Sequence, residues 1–410
     1  MSTTKTAMVQ LTARGPQDEY ISNVGGPTPF KGGVHKPSPM ATVCVPLEFN
    51  ESGILGKTIT ADIPFQGDFL KDLWLYVKLP ALPIAAGSTF TGWVNSVGHA
   101  MIESVEFLVG GKVIEKQPGL FMEICHPFSS EPGKTMPTNK MIGRFDTDRV
   151  LRRNALAPME LYVPLQLWFT KGLPAAFPLC LINRHEIRVR FRMRSFASLV
   201  TYDGDFAPPE MAPIDAKVLA HYIVLDEPTR REFTSRPSYE IVFEQWQSII
   251  ETSIAAGSSS AKLDLPFNNC VKDVVFVLID RRSLENNDFF FFGSRNEHVE
   301  GSAFIKFASL SFDGSVRVPK MPESYFRQLT ATCTHRSAED RNVYSIPFAS
   351  SVESRQPTGT ANFSRFDQTA LNLDMAPGIP ECMVYVLARA YNVMTIKNGV
   401  ACLQFAKIGR

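Results

Sequence analysis

The sequence carries almost no net charge: 42 lysines and arginines face 41 aspartates and glutamates, a formal balance of +1 over 410 residues. A chain so balanced has no global field with which to hold DNA or an anionic membrane, and direct sequence-specific nucleic-acid binding is not expected. Paired cysteines are lacking as well. The seven (44, 125, 180, 270, 333, 382, 402) are odd in number and form no Cys-x-x-Cys, which removes a zinc ribbon and a thioredoxin-like redox site. Scattered thiols of this kind read as small core residues in a reducing cytosol. No run approaches the ~18 apolar residues of a spanning helix, and the opening Met1-Ser2-Thr3-Thr4-Lys5-Thr6 is polar and leads into no apolar stretch. The expectation is a protein neither exported by a standard signal nor built into a membrane.

Catalytic patterns are equally scarce. Gly53-Ile54-Leu55-Gly56-Lys57-Thr58 and Gly133-Lys134-Thr135 resemble phosphate loops, but the glycine needed five residues before the Gly-Lys pair is replaced by Glu51 and Phe128, so both read as turns. The seven histidines (35, 99, 126, 185, 221, 298, 335) show no His-x-His or His-Glu-x-x-His spacing, and no metal or other cofactor is expected. Gly257-Ser258-Ser259-Ser260-Ala261 lacks the glycine after a nucleophile position. Acidic residues are dispersed, so no carboxylate pair suggests glycoside hydrolysis. The chain reads as a non-enzyme.

What is present is a turn-rich, aromatic composition: 30 Phe, 29 Pro and 26 Gly with 20% charged residues, the profile of many short strands. Residues 1–40 are interrupted by Gly and Pro and read as an extended arm. Strand signals then recur through 41–225 and again through 238–410, about eight per half, including Leu161 to Phe169, Pro178 to Ile182 and Leu329 to Thr334. Between the halves, Asp226 can cap a short helix with Pro228 in its first turn, so 226–237 reads as a helical linker. Eight short strands per half is the count of a jelly roll, two antiparallel sheets packed face to face. The fold expected is all-β, two tandem eight-stranded antiparallel jelly rolls.

The halves also echo one another. Ile63-Pro64-Phe65, Lys71-Asp72-Leu73, Ser104-Val105-Glu106-Phe107, Gly111-Lys112-Val113 and Leu120-Phe121 reappear as Leu265-Pro266-Phe267, Lys272-Asp273-Val274, Ser309-Leu310-Ser311-Phe312, Gly314-Ser315-Val316 and Tyr325-Phe326, offset by 201 to 205 residues. Such a pattern is what duplication of a whole domain leaves, and its period is too long for a solenoid.

Three local features carry a functional and a plain reading. Arg188, Arg190, Arg192 and Arg194 alternate with Ile187, Val189, Phe191 and Met193, placing a basic strip on one face of a strand. It could face packaged DNA or an anionic partner surface, or be a solvated, ion-paired outer face. Phe289-Phe290-Phe291-Phe292 could be an exposed anchor or a core-facing segment. Asn50-Glu51-Ser52 and Asn362-Phe363-Ser364 are sequons at which Asn50 or Asn362 could carry sugar.

Read in order, several segments resemble the major capsid proteins of nucleocytoplasmic large DNA viruses, the family that includes the capsid proteins of algal viruses and iridoviruses. Gly15-Pro16-Gln17-Asp18-Glu19-Tyr20-Ile21 resembles the family's Gly-x-Gln-Asp-x-Tyr-Leu, and Pro27-Thr28-Pro29-Phe30-Lys31 its Pro-x-x-Phe-Phe-Lys. Gly67-Asp68-Phe69-Leu70, Val163 to Phe169, His221 to Asp226 and Arg230-Arg231-Glu232-Phe233 are similar to further family segments. The most specific is Gln356-Pro357-Thr358-Gly359-Thr360-Ala361-Asn362-Phe363-Ser364-Arg365-Phe366-Asp367, close to Gln-Pro-Ser-Gly-x-x-Asn-Phe-Ser-Arg-Ile-Asp. Tyr391-Asn392-Val393 and Gly399-Val400-Ala401 match the family's ending. Gly32-Gly33-Val34-His35 departs from the basic-aromatic cluster usual at that point.

The resemblance implies a double jelly-roll capsid subunit. It would form a homotrimer whose six jelly rolls make a pseudo-hexagonal block tiling an icosahedral shell, assembled in the host cytoplasm and resident in the virion. It also implies arm contacts through Gln17, Asp18, Tyr20 and Phe30 to neighbouring capsid components. Its partners would be minor capsid and penton proteins and an internal membrane or its proteins. The loops 80–91 and 281–301, which occupy the same place in the two copies, are expected to sit at one end of the block, facing outward. The competing expectation is a tandem jelly-roll carbohydrate-binding or host-attachment protein, which would need a clustered metal or sugar site.

Overall fold

The computed structural model describes residues 39–405, apart from 85–86, 132, 146–149, 152–154, 204–213, 297–298 and 339. The expected arm, with Gln17, Asp18, Tyr20 and Phe30, therefore lies outside the described residues.

In the first half, β1 (Met40–Leu47), β2 (Thr58–Asp62), β3 (Phe69–Leu79), β4 (Ile102–Val109), β5 (Lys112–Pro118), β6 (Met159–Pro164), β7 (Ile187–Met193) and β8 (Ala216–Leu225) form two antiparallel sheets in the orders β1-β8-β3-β6 and β2-β7-β4-β5. The second half supplies β9 (Ser238–Ile254), β10 (Ser260–Asp264), β11 (Cys270–Asp280), β12 (Ile305–Phe312), β13 (Ser315–Pro322), β14 (Val343–Pro347), β15 (Thr369–Met375) and β16 (Cys382–Lys397). These pair as β9-β16-β11-β14 and β10-β15-β12-β13. Adding eight to every label of the first half gives the second, so the echo in the sequence is a repeat of topology. The protein is a double jelly roll.

Period-2 patterning builds each sandwich. Along β7, Ile187, Val189, Phe191 and Met193 are buried while Arg188 and Arg192 point outward. The two central strands differ instructively. β3 alternates, with Leu73, Leu75, Val77 and Leu79 inside and Trp74, Tyr76 and Lys78 on the other face. β11 is buried almost throughout, because Val274, Phe276 and Leu278 face their own sandwich while Val275, Val277 and Ile279 join the core of the first half.

Between the halves, α3 (Glu227–Thr234) is capped by Asp226, whose side chain accepts from Thr229 N. Arg230 in this helix forks onto Asp68 at 2.6 and 3.0 Å, and Phe233 packs edge-on against Phe69 at 5.3 Å. The connection is thereby pinned to the start of β3.

Helices depart from expectation. α1 (Gly119–Ser129), directly after β5, had no counterpart in the strand pattern; α2 (Thr135–Met141) follows it. The Leu329 to Thr334 run expected as a strand is instead the end of a π turn (Tyr325–Leu329) followed by α4 (Thr330–Thr334). Its β-branched residues tolerate the helix because Thr330 Oγ1 donates to Phe326 O and Thr334 Oγ1 to Thr330 O, each at 2.8 Å. Likewise the Pro178 to Ile182 run is mostly a 3-10 turn, Leu179–Leu181, after the short strand Phe177–Pro178.

Candidate functional site

The most elaborate chemistry lies where the outer face of the β9-β16-β11-β14 sheet meets α1 and β5 of the first half. Nearly every residue of α1 is buried, and its approach is so close that a Cβ on Gly119 would stand 2.0 Å from Ile102 O. Aromatic contacts join the halves along this seam. Phe121 packs on Trp246 at 4.1 Å, Trp168 on Phe243 at 4.8 Å, and Phe128 stacks on His335 at 4.3 Å with planes 24° apart. Gln245 Nε2 donates to Ile114 O at 2.9 Å, tying β9 to β5.

Two clusters of buried charge interrupt this apolar joint. In the first, Glu123 has no exposed side-chain surface and lies 2.7 Å from His99 Nδ1, 2.8 Å from Arg341 Nη1 and 3.6 Å from Arg144 Nη1, while Ser96 Oγ donates at 3.1 Å. Burial alone would raise this carboxyl, but Arg341, His99 and Arg144 outweigh it and hold its pKa far below the usual range. A neighbouring histidine, His126, is pushed down to about 4, first by burial and then by His99.

The second cluster centres on Arg389. Its guanidinium forks onto Glu353 at 2.9 and 3.1 Å and lies 4.6 Å above the centre of the Trp246 ring. Glu244 receives Lys272 from its own half and Lys171 from the other. Burial would raise Glu244, yet Lys171, Arg389 and Lys272 lower it to about 2. Burial lowers Lys272 and raises Asp273, and it raises Glu115 to about 8 although Gln117 Nε2 donates to it at 2.6 Å. Glu123, Glu244, Glu353 and Arg389 are each matched by an opposite charge, the condition under which buried charge is tolerated, whereas Glu115 has only neutral donors and burial favours its protonated form.

One part of this cluster has the spacing of a hydrolytic triad: Ser345 Oγ is 3.0 Å from His335 Nε2, and His335 Nδ1 is 3.2 Å from Glu353 Oε1. Its surroundings assign it a structural part. Ser345 has no exposed surface and its hydroxyl donates to Asp273 at 2.9 Å, Glu353 is occupied by Arg389, and Phe128 covers the imidazole. Among the described residues no three His, Cys, Asp or Glu side chains are grouped to hold a metal ion, and no helix is long and apolar enough to cross a membrane.

The residues singled out from sequence lie elsewhere. Arg188, Arg190 and Arg192 stand on β7 with carboxylates from the flanking strands opposite them. Arg188 pairs with Asp62 at 2.8 Å, Arg190 with Glu106, and Arg192 with Glu103 at 2.9 Å. Arg194 donates to Ala100 O at 2.9 Å and lies 4.3 Å from the centre of the Phe289 ring. The strip's charge is largely compensated where it stands. Phe290 and Phe292 of the four-phenylalanine run are buried. Asn50 and Asn362 are exposed; Asn50 Nδ2 donates to Asp62 at 3.3 Å, and Asn362 Oδ1 accepts from Ser364 N at 3.1 Å.

The seam was not singled out from the sequence. Its signal is charge set within an apolar run: Glu123 in Leu120 to Phe128, the Lys272-Asp273 pair in β11, Arg389 in β16. An unpaired charge is costly inside a core, so each such residue points to a partner distant in sequence.

Comparison with known proteins gives concordant matches. A family described as "Major capsid protein N-terminus" matches residues 28–226, and one described as "Large eukaryotic DNA virus major capsid protein" matches 230–402. The major capsid protein of Pyramimonas orientalis virus is 26% identical, with 97% of this chain and 99% of that protein covered. That of Paramecium bursaria Chlorella virus 1 is 25% identical over 97% and 98%. Among solved structures, PBCV-1 VP54 superposes with a TM-score of 0.80 at 21% identity, covering 93% of this chain and all of that one. The Faustovirus major capsid protein gives 0.73 at 10% identity, over 92% and 94%.

Proposed function

Since the chain belongs to the large eukaryotic DNA virus major capsid protein family and is a structural subunit of the virion capsid, we propose that three copies close into a pseudo-hexagonal capsomer that tiles an icosahedral shell. The observation that carries this reading is the repeat of one sandwich topology within one chain, locked by a buried seam. Two similar units per chain under threefold symmetry give a near-sixfold outline, and cyclic symmetry closes the block.

On this reading the chain divides into an arm at 1–40, jelly rolls at 41–225 and 238–410, and a linker at 226–237. Its role is assembly, without catalysis, cofactor or sequence-specific contact with nucleic acid. Gln17, Asp18, Tyr20 and Phe30 of the arm reach neighbouring components, which include minor capsid and penton proteins and an internal membrane or its proteins. The loops 80–91 and 281–301 face outward, Asn50 and Asn362 are the positions open to glycosylation, and assembly takes place in the host cytoplasm. The ion pairs of Arg188, Arg190 and Arg192 favour an ordinary outer face over a DNA-facing strip.

Light-scattering mass of the purified protein, followed by electron microscopy, tests the reading. Three chain masses and hexagonal particles are expected; a stable monomer at every concentration would overturn it.

A further inference from the structure

Of the four arginines that alternate along β7, three meet carboxylates and the fourth does not. Arg188, Arg190 and Arg192 pair with Asp62, Glu106 and Glu103. Arg194, one residue past the end of the strand, is half-buried, and its only side-chain hydrogen bond among the described residues runs from Nη1 to Ala100 O, just before β4. The Phe289 ring of the second half lies against the guanidinium, its centre 4.3 Å away. Burial pushes the pKa of Arg194 down while Glu103 and Tyr385 act against that push, and an arginine nonetheless keeps its proton. A cation drawn away from water with no acid bonded to it favours an anion from outside the chain.

A cavity of about 480 Å³ opens at this guanidinium. The first half supplies one wall, from the turn leading into β2 and from the end of β7 with the turn after it; the second half supplies the other through Leu284, Asn287 and Phe289, in the segment after β11. The walls are tied together. Asn287 Nδ2 donates to Ala197 O at 3.0 Å and to Val200 O at 3.3 Å, and Gly56 N donates to Arg194 O at 2.9 Å. The cavity is thus shaped by the fold in advance of any ligand. Three cations, Lys57, Arg192 and Arg194, line it against the one carboxylate of Glu103, so two positive charges stand unmatched. Lys57 Nζ donates at 3.0 Å to the neutral carbonyl of Ser52. Ser195 and Ser198 add hydroxyls 3.0 Å apart.

We propose that this cavity binds a small phosphate monoester, its phosphate held by Arg194 and Lys57 and its hydroxyl-bearing remainder by Ser195, Ser198 and Asn287. Charge selects the phosphate. At neutral pH a phosphate monoester carries about −1.5 to −2, which answers the two unmatched cations, whereas a sulfate ester or a carboxylate carries a single charge. Geometry agrees, because the planar fork of a guanidinium meets two oxygens of one phosphate at once. Size and lining select the remainder. The cavity has the volume of a small-molecule site, roughly 300–1,000 Å³, more than a bare ion needs, and its apolar lining is confined to Met193, Leu284 and Phe289. A nucleic-acid strand fits less well: Arg188 and Arg190 are already paired, so no track of cations leads away along a backbone. Both walls belong to one chain, and the site is independent of the capsomer reading.

Calorimetric titration of the whole chain with glucose 6-phosphate tests this, with inorganic phosphate, glucose 6-sulfate and glucose as comparison probes. Glucose 6-phosphate is expected to bind, inorganic phosphate and glucose 6-sulfate to bind about tenfold or more weakly, and glucose to give no measurable heat. Arg194→Gln is expected to weaken glucose 6-phosphate by about tenfold or more, the loss of a charge-assisted contact. Circular dichroism checks its folding, and Lys57→Gln, at an exposed position, is the second variant, expected to weaken binding in the same direction. Arg188→Gln removes the same charge from the same strand away from the cavity and is expected to change binding by no more than about twofold. Inorganic phosphate binding as tightly as glucose 6-phosphate would overturn the monoester. Wild-type protein that binds glucose 6-phosphate no better than glucose, or an equal loss from Lys57→Gln and Arg188→Gln, would overturn the site itself; the capsomer reading, tested by mass, is untouched by either result.

Discussion

The carboxylate of Glu123 lies 2.8 Å from the guanidinium of Arg341, 218 residues further along the chain. The pair joins the two halves with its carboxylate fully buried and its guanidinium partly exposed, and it makes the seam a matter of matched charge as well as of apolar packing. Breaking one member leaves the other stranded. Arg341→Met is expected to destabilise the protein by about 3–5 kcal/mol, because Glu123 stays buried with less compensation. Denaturant unfolding checks this; a loss under about 1 kcal/mol would show that Arg144 and His99 suffice.

Glu244 sets an acid limit. Its folded pKa of about 2 lies below the ordinary value of 4.5, so the stability it contributes is complete above about pH 4.5 and is lost as pH falls toward 2. Glu244→Gln should lower stability at neutral pH and flatten the decline between those values. Thermal melts of both proteins across the acid range test this.

Glu115 acts in the opposite sense. Its folded pKa is raised to about 8. As pH climbs from 4.5 to about 8 the unfolded chain releases this proton while the folded one keeps it, so stability declines through that window and levels off above it. Glu115→Gln should remove that part of the decline, leaving the variant relatively more stable at about pH 9 than at about pH 5. An unchanged difference between the two pH values would refute it.

Phe128 closes the seam over His335. Phe128→Ala is expected to cost about 3–5 kcal/mol as a core truncation. Replacing Arg192, whose partner Glu103 is itself solvent-exposed, should change stability by less than about 1 kcal/mol. Urea midpoints of the two variants compare a buried joint with a surface pair.

Gly119 admits no side chain. A Cβ would overlap Ile102 O and His99 O, so Gly119→Ala must displace α1 from the seam. Loss of soluble, folded protein, or a markedly lower melting temperature, is expected; a wild-type melt would contradict the packing described.

Much of the architecture is written locally. Period-2 alternation around Arg188 to Met193, the turn at Gly110-Gly111 between β4 and β5 and the Asp226 cap each act over a few residues, and the recurrence of Lys71-Asp72 as Lys272-Asp273 is one trace of the repeat that the sheet topology displays. Leu329 to Thr334 misled because its β-branched composition favours a strand, whereas hydroxyl-to-carbonyl bonds one turn back and burial of Phe326 favour a helix. Composition records the first influence but not the second.

By itself, then, the sequence determined the class of fold, the doubling and the absence of familiar catalytic patterns, because strand period, turn chemistry and motif spacing are short-range properties. Only the tertiary structure decided that the second half buries both faces of β11 while the first leaves Trp74 and Tyr76 partly open, that Glu123 and Glu244 meet Arg341 and Lys171 across a seam, and that Asp273 and Arg389 meet His335 and Glu353 beside it. The physical reason is that a buried charge is fixed by what neutralises it, and those partners stand as many as 218 residues away.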